Sequence, residues 1–262
     1  MRQLRISFTG AGKVASALCS EFISKGHIIQ QIVSPGIENG PVLANDCGAR
    51  WSGTPQFDDS NDLIIIAVPD HVLIEVLDSI KCGDGTVVVH TAGSYGLEVF
   101  PESIRKRGVF YPLQTFTRGR KLDFTEIPIF TEYAEPETGE MLRSLAESVG
   151  STIYLADSSK RRLLHIAAVF ISNFPNHLLT LGADITDRTG FPFVIFKPLL
   201  CETVRKAIEQ GPVNSQTGPA VRYDANTIKK HLELLSFYPD MKRIYEEMTR
   251  SITDYYKKRQ DE

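Results

Sequence analysis

The chain has 262 residues, 42% of them apolar, with a formal net charge of −3 and a pI near 6.1. That is more apolar chain than one core usually takes, so two domains are expected. Acidic and basic residues are interspersed, which leaves no basic field for a nucleic-acid backbone or an anionic membrane surface, and small molecules or protein are the expected partners.

Residues 4–9 are β-prone and stop at glycines, and residues 14–25 carry Val14, Leu18, Phe22 and Ile23 at helical spacing. A second β-branched run, 27–33, ends at Ser34-Pro35-Gly36; a helix closing over 43–46 and a short strand around 49–51 follow. Leu63-Ile64-Ile65-Ile66-Ala67-Val68 is apolar without alternation, as suits a parallel strand covered on both faces. At six residues it falls far short of the roughly 18 residues of a membrane helix. Pro69 ends it, and Asp70 can cap a helix buried through Val72, Leu73, Val76, Leu77 and Ile80. Strands at 86–89, 109–111, 127–131 and 152–155 alternate with helices at 97–106 and 137–149, a pattern of βαβ units. Past about residue 156 strand signals stop, and helices are expected at 158–188, 193–210, 224–236 and 239–258. The expected architecture is therefore α/β: a Rossmann-type, mostly parallel sheet in residues 1–156, then an all-α domain in residues 157–262. The opening residues lead straight into a strand without the apolar segment of a signal peptide. Cys19, Cys47, Cys82 and Cys201 form no C-x-x-C pair, so reduced thiols and a cytoplasmic location are expected.

The strongest motif is Gly10-Ala11-Gly12-Lys13-Val14-Ala15. In G-x-G-x-x-A the first glycine turns the backbone sharply, the second admits a pyrophosphate where a Cβ would stand, and the alanine lets helix and sheet pack closely. The amides of Lys13 and Val14 then open a helix whose dipole favours phosphate. NAD-selective sites place an acid at the end of the second strand, about 20 residues on, to hold the ribose hydroxyls. Here the residues are Gln30-Gln31-Ile32-Val33-Ser34-Pro35, with no acid. Ser34 can donate to a 2′-phosphate, with Lys13 or Arg50 to balance its charge, which points to NADP. In open α/β sheets the ligand lies beyond the carboxyl ends of the strands, so Ala67, Val68 and Pro69, Thr91 and Ala92, and Tyr111 to Thr115 face the crevice.

In the helical half, residues 160–177 pair two faces. His165, Ser172 and Asn176 fall within about 40° on a helical wheel, opposite Leu163, Phe170, Ile171 and Phe174. His165 can exchange a proton near neutral pH, as hydride transfer to a carbonyl or imine requires of some group. Pro175 is expected to kink this helix by removing a bond to Ile171. Asn173 and His177 lack a third ligand or an H-E-x-x-H pattern, so no metal is expected. The long connection 211–224 places Thr217 and Arg222 where an anionic group could bind, and Asp224 as the cap of the next helix.

Together the phosphate loop, Ala67-Val68-Pro69-Asp70, His90-Thr91-Ala92-Gly93-Ser94, Tyr111-Pro112-Leu113-Gln114-Thr115-Phe116, the 165–173 helix and Thr217-Gly218-Pro219-Ala220-Val221-Arg222 resemble one known family. It comprises Rossmann-like proteins with a C-terminal helical domain of unknown function, labelled NADP oxidoreductases. In layout it is similar to pyrroline-5-carboxylate reductases, deazaflavin-dependent NADP reductases and the 6-phosphogluconate dehydrogenase group. The resemblance implies a homodimer built through the helical domain. In β-hydroxyacid dehydrogenases of that group one helix carries a catalytic Lys and Asn four apart. With Asn173 as the counterpart here, Val169 stands in the Lys position and the acid–base work passes to His165. The expected activity is NADP-dependent hydride transfer to or from a small carbonyl, imine or alcohol. The competing reading is a non-catalytic NADP(H)-binding sensor or regulatory protein.

Overall fold

In the computed structural model, which describes residues 2–260, the first half of the chain builds one eight-stranded sheet. Its elements are β1 (Arg5–Thr9), α1 (Lys13–Ser24), β2 (Ile28–Val33), α2 (Asn39–Cys47), β3 (Arg50–Ser52), β4 (Leu63–Ile66), α3 (Leu73–Ser79), β5 (Val87–His90), β6 (Arg107–Pro112), β7 (Ile129–Tyr133), α4 (Pro136–Ser148) and β8 (Ile153–Leu155). The order is β3-β2-β1-β4-β5-β6-β7-β8, and every pair is parallel except β6–β7. The chain moves outward from β1 to β3, then returns to β4 on the other side of β1. This reversal opens a crevice beyond the carboxyl ends of β1 and β4, where α/β sheets bind their ligands.

The unalternating run in β4 has a direct cause. Leu63 and Ile65 enter a core with Leu18 and Phe22 of α1 and Leu142 of α4, while Ile64 and Ile66 enter a second core with Leu73 and Leu77 of α3. Each of the four is essentially fully buried, worth about 1.5–3 kcal/mol apiece. The helix expected over 97–106 does not form. A 3-10 turn spans Leu97–Val99, and Pro101, with no N–H and a ring that would meet the Leu97 carbonyl, stops it there. Phe100 and Ile104 still reach the second core as separate anchors. Asp70 begins a 3-10 turn leading into α3 but makes no side-chain cap bond.

The chain divides into two compact units, Met1–Phe174 and Pro175–Glu262. The first ends with α5 (Ser158–Ala168) and a π-helical segment, Val169–Asn173. The second contains α6 (Phe174–Asp187, whose first residue falls before the division), α7 (Lys197–Gln210), α8 (Pro212–Ser215), α9 (Ala225–Leu234) and α10 (Pro239–Gln260). Where a kink was expected at Pro175, the preceding turn widens into the π segment, which accommodates the ring and the missing N–H. Asp224 caps α9, accepting from the Thr227 amide at 3.0 Å and hydroxyl at 2.7 Å. Because helix continues through Pro175, the stretch Ser158–Asp187 is long and apolar enough, at mean hydropathy 1.2, to pass for a membrane span by length and composition. Its first turns are instead tied to the sheet: Arg161 pairs with Glu132 of β7 and His165 meets Tyr111 of β6. Among the described residues from 175 onward only Thr186 and Ala220 are buried.

At the end of β5, His90 is fully buried and stacks on Phe100 with ring centroids 5.4 Å apart. Its Nδ1 accepts from the Ala92 amide at 3.2 Å, which leaves Nε2 to donate to the Gly96 carbonyl at 3.3 Å. Burial holds the ring neutral and pushes its pKa down to about 4. Below about pH 6.5 the unfolded chain takes up a proton that the folded chain refuses, so this contribution is complete above that pH. It drains away as the pH falls toward 4, by about 3 kcal/mol at the limit. Burial shifts His27 in the same direction. Urea unfolding should show stability declining from about pH 7 to about pH 4.5, and His90→Asn, though weaker at neutral pH, should decline less steeply.

Candidate functional site

Three strand exits meet at Gly10. Its amide donates to the Val33 carbonyl of β2 at 2.7 Å, and at φ +103° its α-carbon lies so close to β4 that an added Cβ would stand 2.2 Å from the Ala67 oxygen. The turn then releases α1, whose first position follows Gly12 in extended geometry (φ −81°, ψ −169°) with no side-chain cap and no acid in the first turn. A Cβ on Gly12 would meet nothing within 4 Å. The helix amides of Lys13 and Val14 therefore open onto free space, and Lys13 is exposed with no ion pair among the described residues. This receptor fits a pyrophosphate.

At the end of β2, Ser34 is buried; its amide bonds the Ser52 carbonyl at 3.0 Å and its hydroxyl donates to Gly36 O at 3.2 Å. Gly40, in the first turn of α2, packs on that hydroxyl and on the Trp51 ring so tightly that a Cβ there would lie 2.2 Å from Ser34 Oγ. No carboxylate stands at the strand end. Arg50 is not the cation that serves it: it sits opposite Gln31, two residues before the end of β2, and its guanidinium pairs with Asp58 at 2.8 Å. Arg118, in the connection after β6, reaches the region instead. It donates to the Ala11 carbonyl at 2.9 Å and to Asn39 Oδ1.

On the other side of the crevice, Ala67 N bonds Thr9 O at 2.8 Å, and Thr91 N bonds Ile66 O at 3.1 Å, which aligns Ala67, Val68, Pro69, Thr91 and buried Ala92 along the sheet edge. Beyond them Tyr111 Oη lies 3.2 Å from His165 Nδ1, with the rings edge to face at 6.2 Å. Gly93 fits beneath the pair: a Cβ on it would be 2.9 Å from Tyr111 Cζ and 3.1 Å from His165 Nδ1. Burial, and secondarily the charge of Asp70, raise the Tyr111 hydroxyl above its ordinary value, so it stays protonated.

Successive residues of the β5 exit are held by α5. Arg162 Nε donates to Ser94 O at 2.8 Å, and fully buried Arg161 donates to Tyr95 O at 2.6 Å, to Ala156 O at 2.5 Å and to Glu132 at 2.7 Å. One helical turn later comes His165, so this buried ion pair positions the imidazole. Asn173 is exposed in the π segment, roughly 12 Å of helix rise further along, and is not brought to the pair. Gln114 is exposed, its side chain accepting from Thr115 N at 2.8 Å. Sequence reading marked the segment containing Tyr111 but not its pairing with His165, and it missed Arg118 and Arg161. Only the adjacency of glycines and aromatics in His90-Thr91-Ala92-Gly93 and Tyr111 offered a signal.

Residues 5–93 match the family described as "NADP oxidoreductase coenzyme F420-dependent", and residues 127–252 match a domain of unknown function, DUF2520. A Bacteroides fragilis protein described as a "putative NADP oxidoreductase" is 36% identical over 96% of this chain and 98% of its own, with a TM-score of 0.88. The chain belongs to this family. The family is one of nicotinamide-dependent oxidoreductases, as the motifs implied. A Thermotoga maritima protein (21% identity, 97% and 99% coverage, TM-score 0.69) shares the fold. So does the 1-pyrroline-5-carboxylate reductase of Streptococcus pyogenes (15%, 96% and 99%, 0.62). No curated protein matches the chain.

The two loop glycines should separate stability from binding. Gly10→Ala combines a strained positive φ with a backbone clash and should cost about 3 kcal/mol or more in urea unfolding. Gly12→Asp supplies the missing cap and an acid at the helix N-terminus, so folding stability should hold or rise by a few tenths of a kcal/mol, while pyridine-nucleotide affinity is lost.

Proposed function

We propose that this protein is an NADP-dependent oxidoreductase that moves a hydride between the nicotinamide and a small carbonyl, imine or alcohol. One observation carries the reading: an open, uncapped phosphate loop and a Tyr111–His165 pair stand along the same sheet edge, on either side of the exits of β4 and β5. The absence of an acid beside Ser34 supports NADP over NAD, since a carboxylate there would repel a 2′-phosphate.

The bound nicotinamide supplies or accepts the hydride. The chain's own work is to hold the pyrophosphate on the Lys13 and Val14 amides and to handle the accompanying proton. Tyr111 suits both states of His165: its hydroxyl donates to Nδ1 of the neutral ring and accepts from Nδ1–H of the charged ring. Nε2 is then the atom that gives the proton to a forming alkoxide or to the imine nitrogen, or removes it in the reverse direction. Arg161 and Arg162 fix the helix that carries this ring. Asn173 has no step in this scheme.

The same proposal includes a homodimer through the helical unit. A unit of this length with two buried residues hides too little apolar surface to stand alone, while Phe237 and Ile208 are 86% and 79% exposed. A second copy would cover Val194, Leu199 and Val204 as well. All four cysteines are free thiols, which suits a cytoplasmic location.

A steady-state screen of NADPH oxidation with small keto and imino acids tests the chemistry. His165→Ala should lower kcat about 10²- to 10⁴-fold with NADPH affinity unchanged, and Tyr111→Phe should lower it less while shifting the pH profile. Nucleotide binding with no turnover on any such substrate would point to the sensor reading instead. Sedimentation equilibrium should give the mass of two chains, and Ile208→Asp should shift it toward one chain; a single-chain mass for the unaltered protein would overturn the dimer.

A further inference from the structure

We infer that Arg118, on the connection between β6 and β7, is the residue that selects the 2′-phosphate of the cofactor; the inference rests on the NADP reading given above. Adenosine-side selectivity is usually carried at the end of the second strand. In this chain that position offers only Ser34, and the cation on the neighbouring strand, Arg50, is engaged by Asp58.

Arg118 arrives from elsewhere. Buried Phe116 and Phe124 anchor its connection to the core, with ring centroids 6.5 Å apart, and the segment between them returns past the phosphate loop. There the guanidinium bridges two elements, donating through Nη2 to Ala11 O at 2.9 Å and through Nη1 to Asn39 Oδ1. Asn39 is followed by Gly40, whose α-carbon lies against the Ser34 hydroxyl, so Arg118 stands next to the β2 end that lacks a charge. Those two bonds use two of its five N–H groups and leave three to donate. With them a planar guanidinium can take two oxygens of one phosphate. It also borders a cavity of about 360 Å³ between α1 and α2 that Ser16, Ser20, Asn39 and Asp46 help line. The charged groups that line the two cavities beside it are Lys13, Arg120, Lys121 and Glu21 in one and Asp46 in the other. Arg118 is the cation among them that hydrogen-bonds both the phosphate loop and α2.

The test uses the full-length protein and four probes: NADPH, NADH, adenosine 2′,5′-bisphosphate and AMP. Binding is read by calorimetry and by the fluorescence of Trp51, the single tryptophan, whose ring packs against Gly40. The unaltered protein should bind NADPH and the bisphosphate at least roughly 10-fold tighter than NADH and AMP. Arg118→Gln should weaken the two 2′-phosphorylated probes by roughly 10- to 100-fold, leave NADH and AMP within about threefold, and leave the thermal midpoint unchanged. Arg118→Lys should recover part of the loss. An equal loss for NADH and NADPH would make Arg118 a brace of the phosphate loop, and no loss for either would place the 2′-phosphate elsewhere; both overturn the inference while the NADP reading stands. If the unaltered protein fails to prefer NADPH over NADH, the NADP reading itself fails, and this inference with it.

Discussion

The turn between β1 and α1 can exist because Gly10 carries no side chain. At φ +103°, hydrogen-bonded to β2 and pressed against the Ala67 carbonyl, it locks three strand exits together at a separation that an alanine would force apart. That contact sets where α1 begins and so where its unbonded amides point. It also sets the spacing between the end of β2, where Ser34 and Gly40 pack, and the exits of β4 and β5, where Thr91 and Gly93 lie. The nucleotide side and the reaction side of the crevice are both referenced to this single close approach.

A second constraint holds the reaction side. Arg161 is fully buried, and burying a guanidinium is costly unless its donors are used. Glu132, Ala156 O and Tyr95 O use three of them, although Nε finds no partner. The bonds run from α5 to β7 and to the β5 exit, so the helix cannot shift without exposing a charge to an apolar interior. His165 inherits its place from that ion pair and from the fit of Gly93 under Tyr111. The position of the imidazole thus comes from a buried ion pair one turn away and from a glycine on a neighbouring strand exit.

Much of this was legible in the residues because the signals are local. The phosphate loop is six consecutive residues; β4 declares itself by Leu63 to Ile66, and Asp224 announces the cap of α9. The apolar residues of 97–106 have helical spacing, yet Pro101 at the fifth position forbids the helix, and Phe100 and Ile104 reach the core without one. The polar contacts were out of reach for a different reason. Arg118 meets Ala11 across 107 positions and Tyr111 meets His165 across 54, and no periodicity links residues so distant. Arg50, expected to balance charge beside Ser34, is engaged by a residue eight positions on, Asp58. Nothing in the run Lys160-Arg161-Arg162 distinguishes its middle member, which is the most deeply buried cation of the three.

The near-absence of an interior in the unit Pro175–Glu262 bears on how a newly made chain matures. The nucleotide-binding half contains its own two cores and can settle by itself, but the later helices conceal almost nothing from water in a single copy. In the proposed dimer their final order would depend on encounter rather than on collapse, and its rate would scale with how many finished chains are nearby. Until such an encounter, Phe237 and Ile208 would be sticky surface, so dilution would weigh on the second half of the polypeptide and leave the first, with its own two cores, little affected.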